Sequence, residues 1–552
     1  MKSTEYADIL LPGIDKNIDY YEKLYPKRNL GNDSMVTRFA PSPTGFVHMG
    51  SLYASFISSV FAKQSNGIFY LRIEDTDKKR EIENGIEGII NDLSYFDIIP
   101  DEGPANGGIY GPYIQSERKE IYQTFAKHLI KNDLAYPCFC SEEENNETRK
   151  IQERKKDRLG YYGEFAKCRN LSKEEVLDRI KDNKKYVIRL KSPGDFNNKV
   201  VCHDLIKGEI TFPENDQDIV MLKSDGLPTY HFAHLVDDHL MRTTHVIRGD
   251  EWLSSIPIHL QLYSVFGYEH LKYVHLAPIV KMDGNSKRKL SKRHDPECAI
   301  SFYHEKGFPK EVIKLYLATL INAGFEDWYT NNPQGNITDY KFLFENMSRG
   351  GSLFDLEKII SISRTYFSRL SAEEVYDGTL EYADKYNPSF ALILKNQKEY
   401  AISVLNIERN NVKPRKDIAT YSDVYNETWY MYDELFYNQD KKLYSDIDES
   451  RQFDVNLLNN YIDNFFTESD EKQQWYDYIS EFAITYGYAP SRSELKENPE
   501  KYKGFVGDIC EMLRFAITSK TMTPDLYEIM KILGKERLKK RIENFGNFLN
   551  KD

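Results

Sequence analysis

Apolar and polar positions along the chain change rhythm several times, and each rhythm predicts an element. Residues 1–34 are polar, with scattered tyrosines and lysines and breaks at Pro12-Gly13 and Gly31-Asn32-Asp33, and read as an appended arm. From Met35 a strand pattern runs to Ala40 and a Pro/Gly turn follows over 41–50. Leu52, Phe56, Ile57, Val60 and Phe61 then recur at helical spacing until Gly67. "IFYLRIED" alternates, with Phe69, Leu71 and Ile73 on one face and Tyr70, Arg72 and Glu74 on the other. Strand, helix and strand in this order predict a βαβ unit and a parallel sheet. Residues 118–221 interrupt it with helical pieces and a charge-rich stretch, and α/β character resumes at "GLPTYHFAHLVDDHLM". Beyond residue 300 the pattern is mostly helical. One helix there is marked by Thr523 as N-cap, Pro524 in the first turn, Leu526, Ile529, Met530 and Leu533 on one face, and Gly534 after its end.

At 552 residues the chain exceeds one core, since domains close at roughly 100–200 residues. Its 40% apolar and 29% charged residues fit a globular protein. The balance of 74 Lys+Arg against 86 Asp+Glu argues against a polybasic nucleic-acid binder, while leaving room for a local basic surface. No window approaches the run of about 18 apolar residues that a membrane helix needs. The N-terminus lacks a charged segment followed by an apolar one, so a cytoplasmic enzyme without a membrane partner is expected. Six cysteines are too few for a disulfide scaffold, yet Cys138, Cys140 and Cys168 cluster.

The turn "APSPTGFVHMGS" falls where a parallel sheet binds ligands, at a strand's carboxyl end and a helix's N-terminus. Pro41 and Pro43 stiffen it, Gly45 and Gly50 permit close approach, and His48 adds a hydrogen-bond donor. A nucleotide phosphate suits such a turn, although spacing alone leaves a solvated Pro/Gly loop as an equal alternative.

The wording of the turn separates the two. "RFAPSPTGFVHMGS" resembles the first signature of class I aminoacyl-tRNA synthetases of the glutamyl type. "YLRIEDTDKKR" at 70–80 resembles the same family's next strand end, "DGLPTYHFAHLVDDHLM" with "VIRGDEW" its later site segment, and "KLSKR" at 289–293 its lysine loop. The loop departs from the usual wording at Leu290 and Arg293. The run from Tyr502 to Arg541 resembles the end of the family's anticodon-binding part, so the likeness covers Met35 to the C-terminus.

The resemblance implies a Rossmann-like α/β catalytic domain in two halves (35–117 and 222–275), split by an acceptor-binding insertion (118–221). A stem-contact domain carrying the KLSKR loop (276–375) and an all-α anticodon-binding domain (376–552) follow, with 1–34 as an extension. It implies ATP-dependent activation of L-glutamate to glutamyl-adenylate and transfer to the terminal ribose of tRNA(Glu). Whether tRNA(Gln) is also a substrate stays open, and glutaminyl synthetases and a silent RNA-binding paralogue are the alternatives. His48, Lys289 and Lys292 carry over as catalytic residues. Thr44, Gly45, Gly50 and Glu251, with His48 and Lys292, carry over to ATP, which brings Mg2+. Arg38, Ser42, Glu74, Tyr230 and Arg248 carry over to glutamate. Paired guanidiniums suit its γ-carboxylate, and Glu74 its α-ammonium. Cys138, Cys140 and Cys168, with Tyr161 as candidate fourth ligand, form a candidate structural Zn2+ site. Arg514, Lys520 and the run Lys535 to Arg541 are candidates for RNA contact, and a monomer is expected.

Overall fold

The computed structural model describes residues 2–77, 80–438, 443–444, 447 and 453–550. The chain divides into two units, Met1–Phe302 with Ile313–Asp355, and Tyr303–Val312 with Leu356–Asp552.

The first unit begins with two helices, α1 (Ser3–Leu10) and α2 (Ile18–Leu24), where the sequence reads as a polar arm. Ala7 and Leu10 on α1, and Leu11 and Ile14 in the stretch that follows it, are all buried. Tyr21 and Tyr25 join them in one core with residues of later helices and strands. Arg28 then holds Glu102 with both terminal nitrogens, at 2.7 and 2.8 Å. The leader is thus an integral part of this unit.

Strand β1 (Val36–Phe39), helix α3 (Met49–Gln64) and strand β2 (Ile68–Leu71) form the expected βαβ unit, with β1 and β2 parallel and Val36 opposite Ile68. Gly67 makes this close return feasible, because a Cβ there would lie 1.9 Å from the Met35 carbonyl oxygen. β2 departs from half-exposed alternation: Phe69 and Leu71 are buried, but so are Tyr70 and Arg72. A parallel sheet is covered on both faces, so its polar side chains need buried partners rather than water.

Helix α4 (Gly85–Tyr95) follows, and α5 (Lys119–Lys131) leads to strand β3 (Ala135–Cys138). Next come α6 (Glu142–Lys155) and α7 (Lys173–Lys181), each opened by a serine capping box, Ser141 with Glu144 and Ser172 with Glu175. Strand β4 (Val187–Leu190), the hairpin of β5 (Lys199–Asp204) and β6 (Gly208–Pro213), and β7 (Val220–Leu222) complete this stretch. β3, β4 and β7 make an antiparallel sheet, whereas β5 and β6, also within 118–221, join another. That second sheet takes in β8 (His245–Gly249) after helix α8 (Tyr230–Leu240), and β9 (Lys272–Leu276) after helix α9 (Ile256–Phe266), in the order β6-β5-β9-β8. β8 and β9 are parallel, with Arg248 opposite His275. The Thr244 amide donates to the Val36 carbonyl, which places β8 beside β1. A ribbon of β10 (Val280–Asp283) and β11 (Ser286–Lys289) carries the lysine loop.

Every named element of the second unit is helical, and one continuous apolar core from Phe367 to Phe545 holds it together. The expected helix at 523–534 begins at Leu526, capped by the Asp525 carboxylate rather than by Thr523. Gly534, at φ 75°, does end its first segment, and Glu468 accepts from the Lys535 amide to start the next.

Candidate active site

The carboxyl ends of β1, β2 and β8 and the N-termini of α3 and α8 surround a cleft of about 1330 Å³. Its lining includes Arg38, Ser42, Thr44, Gly45, His48, Gly50, Glu74, Tyr230, Arg248, Glu251, Lys289 and Lys292. All twelve residues expected for catalysis, glutamate and ATP therefore reach one cavity, although they span most of the first 300 positions.

One end is built around α3. His48 is its N-cap: Nδ1 accepts from the Ser51 amide at 3.2 Å, so the other ring nitrogen carries the hydrogen and is left to donate. Burial, helped by Lys292 and Lys289, pushes the His48 pKa down to about 4, which keeps the ring neutral. A Cβ at Gly50 would lie 3.2 Å from that ring, so glycine keeps the space open. Lys292 is exposed and donates to the Phe46 carbonyl at 2.8 Å, across the mouth of the turn. Lys289, 61% exposed, lies 3.7 Å from Glu251. The loop bearing both lysines rests on two anchors. Leu290 is buried, so the departure from the usual wording keeps an apolar plug. Asp295 accepts from both terminal nitrogens of Arg288, at 2.6 and 2.8 Å, and from the Ser291 amide.

The other end is buried and charge-rich. Arg38 and Arg248 are 5% and 6% exposed. Arg38 pairs with Asp238 at 3.2 Å, and Asp238 also accepts from Arg72 at 2.5 Å. Burial opposes charge on Asp238, but Arg38 and Arg72 outweigh it and hold the carboxyl well below its usual range. Arg72 donates onward to Glu74 at 3.0 Å, while burial still raises Glu74 above the ordinary carboxylate range. Neighbouring Asp75 is tied to the Ser116 amide and hydroxyl, a structural clamp. Arg248 donates to the Tyr230 hydroxyl at 3.1 Å, and Tyr230 stacks on Trp252 with ring centres 4.3 Å apart. Asp237, Asp238, Arg72, His259 and His275 receive no role in the sequence reading, although Arg72 lies within "YLRIEDTDKKR" and the adjacent acids within "VDDH".

The cysteine cluster lies apart from the cleft. The sulfurs of Cys138, Cys140 and Cys168 are within 4.8 Å of one another, with Cys140 and Cys168 at 3.6 Å. The Tyr161 hydroxyl is 3.3 Å from the Cys138 and Cys140 sulfurs. Tetrahedral zinc with bonds near 2.3 Å to sulfur spaces its sulfurs about 3.8 Å apart, so this donor set fits a zinc ion. Without an ion the shared hydrogen bonds push the Cys138 thiol down and Cys140 up, and burial raises the Tyr161 hydroxyl, so one thiolate is held among protonated neighbours. Arg189 lies over the Tyr161 ring at 3.8 Å and steadies it.

The expected RNA contacts divide. Arg541 is fully buried and donates to the Tyr430 and Ile517 carbonyls and to Asp433, so it is a core strut and not a candidate for RNA. Lys520 donates to the Asn426 carbonyl, and Lys535 to that of Asp463.

A buried pair of guanidiniums at one end and a histidine-capped helix with loop lysines at the other make a cleft for an anionic amino acid beside a polyphosphate. In agreement, residues 34–348 match the family described as tRNA synthetases class I (E and Q), catalytic domain, and residues 492–545 match an anticodon binding domain. The chain belongs to the class I tRNA synthetases of the E and Q type. Within that class it is similar over its length to the glutamate–tRNA ligase of Clostridium perfringens (strain SM101 / Type A), 46% identical and covering 99% of this chain and 100% of that one. The glutamate–tRNA ligase of Acetivibrio thermocellus is 44% identical, covering 98% and 100%. Among solved structures, a glutamate tRNA ligase from Elizabethkingia meningosepticum, crystallised with its amino acid, superposes with a TM-score of 0.75 at 27% identity, covering 93% and 99%.

Proposed function

We propose that this chain joins L-glutamate to tRNA(Glu) in two ATP-dependent steps within the one cleft. The observation that carries the reading is the pair of buried guanidiniums, Arg38 and Arg248, facing the same cavity as His48, Lys289 and Lys292. Bidentate guanidinium contacts suit the γ-carboxylate, and Glu74 with Tyr230 complete the amino-acid end, with Ser42 at the turn beside it. The α-carboxylate then attacks the α-phosphate in line, forming glutamyl-adenylate and expelling pyrophosphate. Mg2+ bound with the nucleotide would offset phosphate charge. The His48 N–H, the amides around Thr44, Gly45 and Gly50, and the lysines of the loop stabilise charge that grows on the leaving pyrophosphate. Glu251 stands beside Lys289 and keeps that lysine at the nucleotide end. In the second step a terminal ribose hydroxyl of the tRNA attacks the activated carbonyl and AMP leaves. Positioning dominates both steps, because the reacting nucleophile of the first is the substrate's own carboxylate.

Residues 118–221, apart from the β5–β6 hairpin that joins the sheet of β8 and β9, meet the acceptor end of the tRNA, and Cys138, Cys140, Cys168 and Tyr161 would hold a structural zinc. Residues 276–375 meet its stem and 376–552 its anticodon. Discrimination between tRNA(Glu) and tRNA(Gln) rests on that last region. A monomer and a cytoplasmic location suit the reading. No helix among the described residues is long and apolar enough to cross a membrane. Glutamate-dependent ATP–pyrophosphate exchange, with and without bulk tRNA and with glutamine in parallel, tests the reading. Exchange with glutamate in the presence of tRNA is expected. A folded protein that exchanges only with glutamine, or not at all, overturns it.

A further inference from the structure

Arg38 and Arg248 are held by different means. Arg38 touches an acid directly, Asp238 at 3.2 Å. The recorded partners of Arg248 are all uncharged groups: the Tyr230 hydroxyl, the Trp252 carbonyl at 3.3 Å, His259 Nδ1 at 3.4 Å and His275 Nε2 at 3.0 Å. Behind His275 sits an acid. His275 Nδ1 is 2.7 Å from Asp204, which also accepts from the His275, Ile206 and Lys207 amides.

The three residues form a row across neighbouring strands. Asp204 ends β5 and pairs with Tyr273 of β9, and His275 of β9 lies opposite Arg248 of β8. Hydrogen-bond chemistry then sets the proton. A guanidinium nitrogen only donates, so His275 Nε2 must accept, and the ring hydrogen must sit on Nδ1, facing Asp204. Burial pushes the His275 pKa down and so favours the neutral ring, against the pull of Asp204. His259 follows the same logic: Nδ1 faces Arg248, so Nε2–H donates to His231 Nδ1 at 3.1 Å.

We infer that Asp204 and His275 are a positioning relay for Arg248, and that the neutral ring between them determines selectivity for a carboxylate over a carboxamide. This rests on the glutamate-activating reading of the same cleft. Asp204 fixes the His275 tautomer, and His275 holds Nε of Arg248, so a γ-carboxylate meets the terminal nitrogens, whose contacts to His259 Nδ1 and to the Trp252 carbonyl are longer, at 3.4 and 3.3 Å, and open to exchange for a charged acceptor. An acid in direct contact would have compensated Arg248 as Asp238 compensates Arg38. A neutral imidazole instead orients the guanidinium and leaves its positive charge to be met by the substrate's γ-carboxylate, which a neutral amide meets poorly.

The test combines kinetics with the ring's protonation. In tRNA-dependent exchange, His275→Leu is expected to raise the glutamate KM about tenfold or more, leave the ATP KM unchanged and narrow the preference for glutamate over glutamine. His275→Gln, whose amide accepts from Arg248 and donates to Asp204, restores most of the loss. In the wild-type protein, 15N-histidine NMR at neutral pH, assigned by the signal that His275→Gln removes, should show a neutral ring protonated at Nδ1. A ring protonated at Nε2, or an imidazolium, overturns the relay whether or not the leucine variant folds. So does a folded leucine variant whose glutamate KM is unchanged or rises in step with that for ATP. Absence of glutamate-dependent exchange in the wild type would instead reject the underlying function, so the two failures are distinct.

Discussion

The two ends of the cleft are built in opposite ways. At the amino-acid end Arg38, Arg72 and Arg248 are buried and each is held by several partners, two of them by the same carboxylate of Asp238. At the nucleotide end the cationic groups are exposed, and Lys292 is held by a single backbone carbonyl. A small, fixed ligand rewards donors locked before it arrives, because the ordering cost is met in folding. A polyphosphate whose charge shifts during reaction is better served by long side chains that follow it. On the proposed reading of the cleft, selectivity belongs to the rigid end and rate to the adaptable one.

The largest break in that comparison is expected from Arg248→Ala. It removes a buried cation and strands the His275 and Tyr230 partners, and should raise the glutamate KM by about 100-fold while leaving the ATP KM alone. Lys292→Ala should do the reverse, lowering kcat by about 10- to 100-fold with the glutamate KM unchanged, as for loss of one group that meets developing charge. Exchange kinetics at varied glutamate and ATP check both. Leu10→Ala separates either effect from folding. It empties a buried leader site, so denaturant titration should report a loss of about 2–5 kcal/mol with unaltered KM values in the protein that remains folded.

Two smaller effects sharpen the picture. Burial pushes the pKa values of His48 and His231 from 6.5 down to about 4. On acidification the unfolded chain therefore takes up these protons first. The stability they confer is complete above pH 7 and is lost as pH falls from about 6.5 toward 4. Thermal melts across that range should fall, and His231→Gln should flatten the slope; a melting temperature unchanged between pH 7 and 5 would speak against neutral buried rings. Least affected should be exchange after a chelator removes the zinc proposed for Cys138, Cys140, Cys168 and Tyr161. Hydrogen exchange should loosen around β3, β4 and Tyr161 while the glutamate KM holds, since the cluster lies outside the cleft.

Legibility in the sequence followed the same division. The turn from Arg38 to Ser51 is local, with its Pro, Gly and His within one strand-to-helix connection, so its place in the fold could be read from a short string, and the family resemblance of that string separated a ligand turn from a solvated loop. So could the helical character of the C-terminal region and the proximity of Tyr161 to the three cysteines. The buried supports could not. Asp204, Asp238 and His275 are ordinary polar residues until elements far apart in the chain, β5, α8 and β9, bring Asp238 and His275 against arginines and Asp204 against His275. Arg541 looked like one more surface cation until its carbonyl partners, contributed by other helices, enclosed it. Alternation misled at β2 because a sheet buried on both faces hides polar residues as well as apolar ones. The leader misled because its apolar residues Ala7, Leu10, Leu11 and Ile14 are diluted by charged neighbours.

The measurement that tests the division most directly is the full set of KM and kcat values for Arg248→Ala and Lys292→Ala, taken side by side in tRNA-dependent exchange. The account predicts an orthogonal split, glutamate KM for the first and kcat for the second. If both variants shift the same parameter by similar factors, the two ends do not divide selectivity from rate, and the account fails.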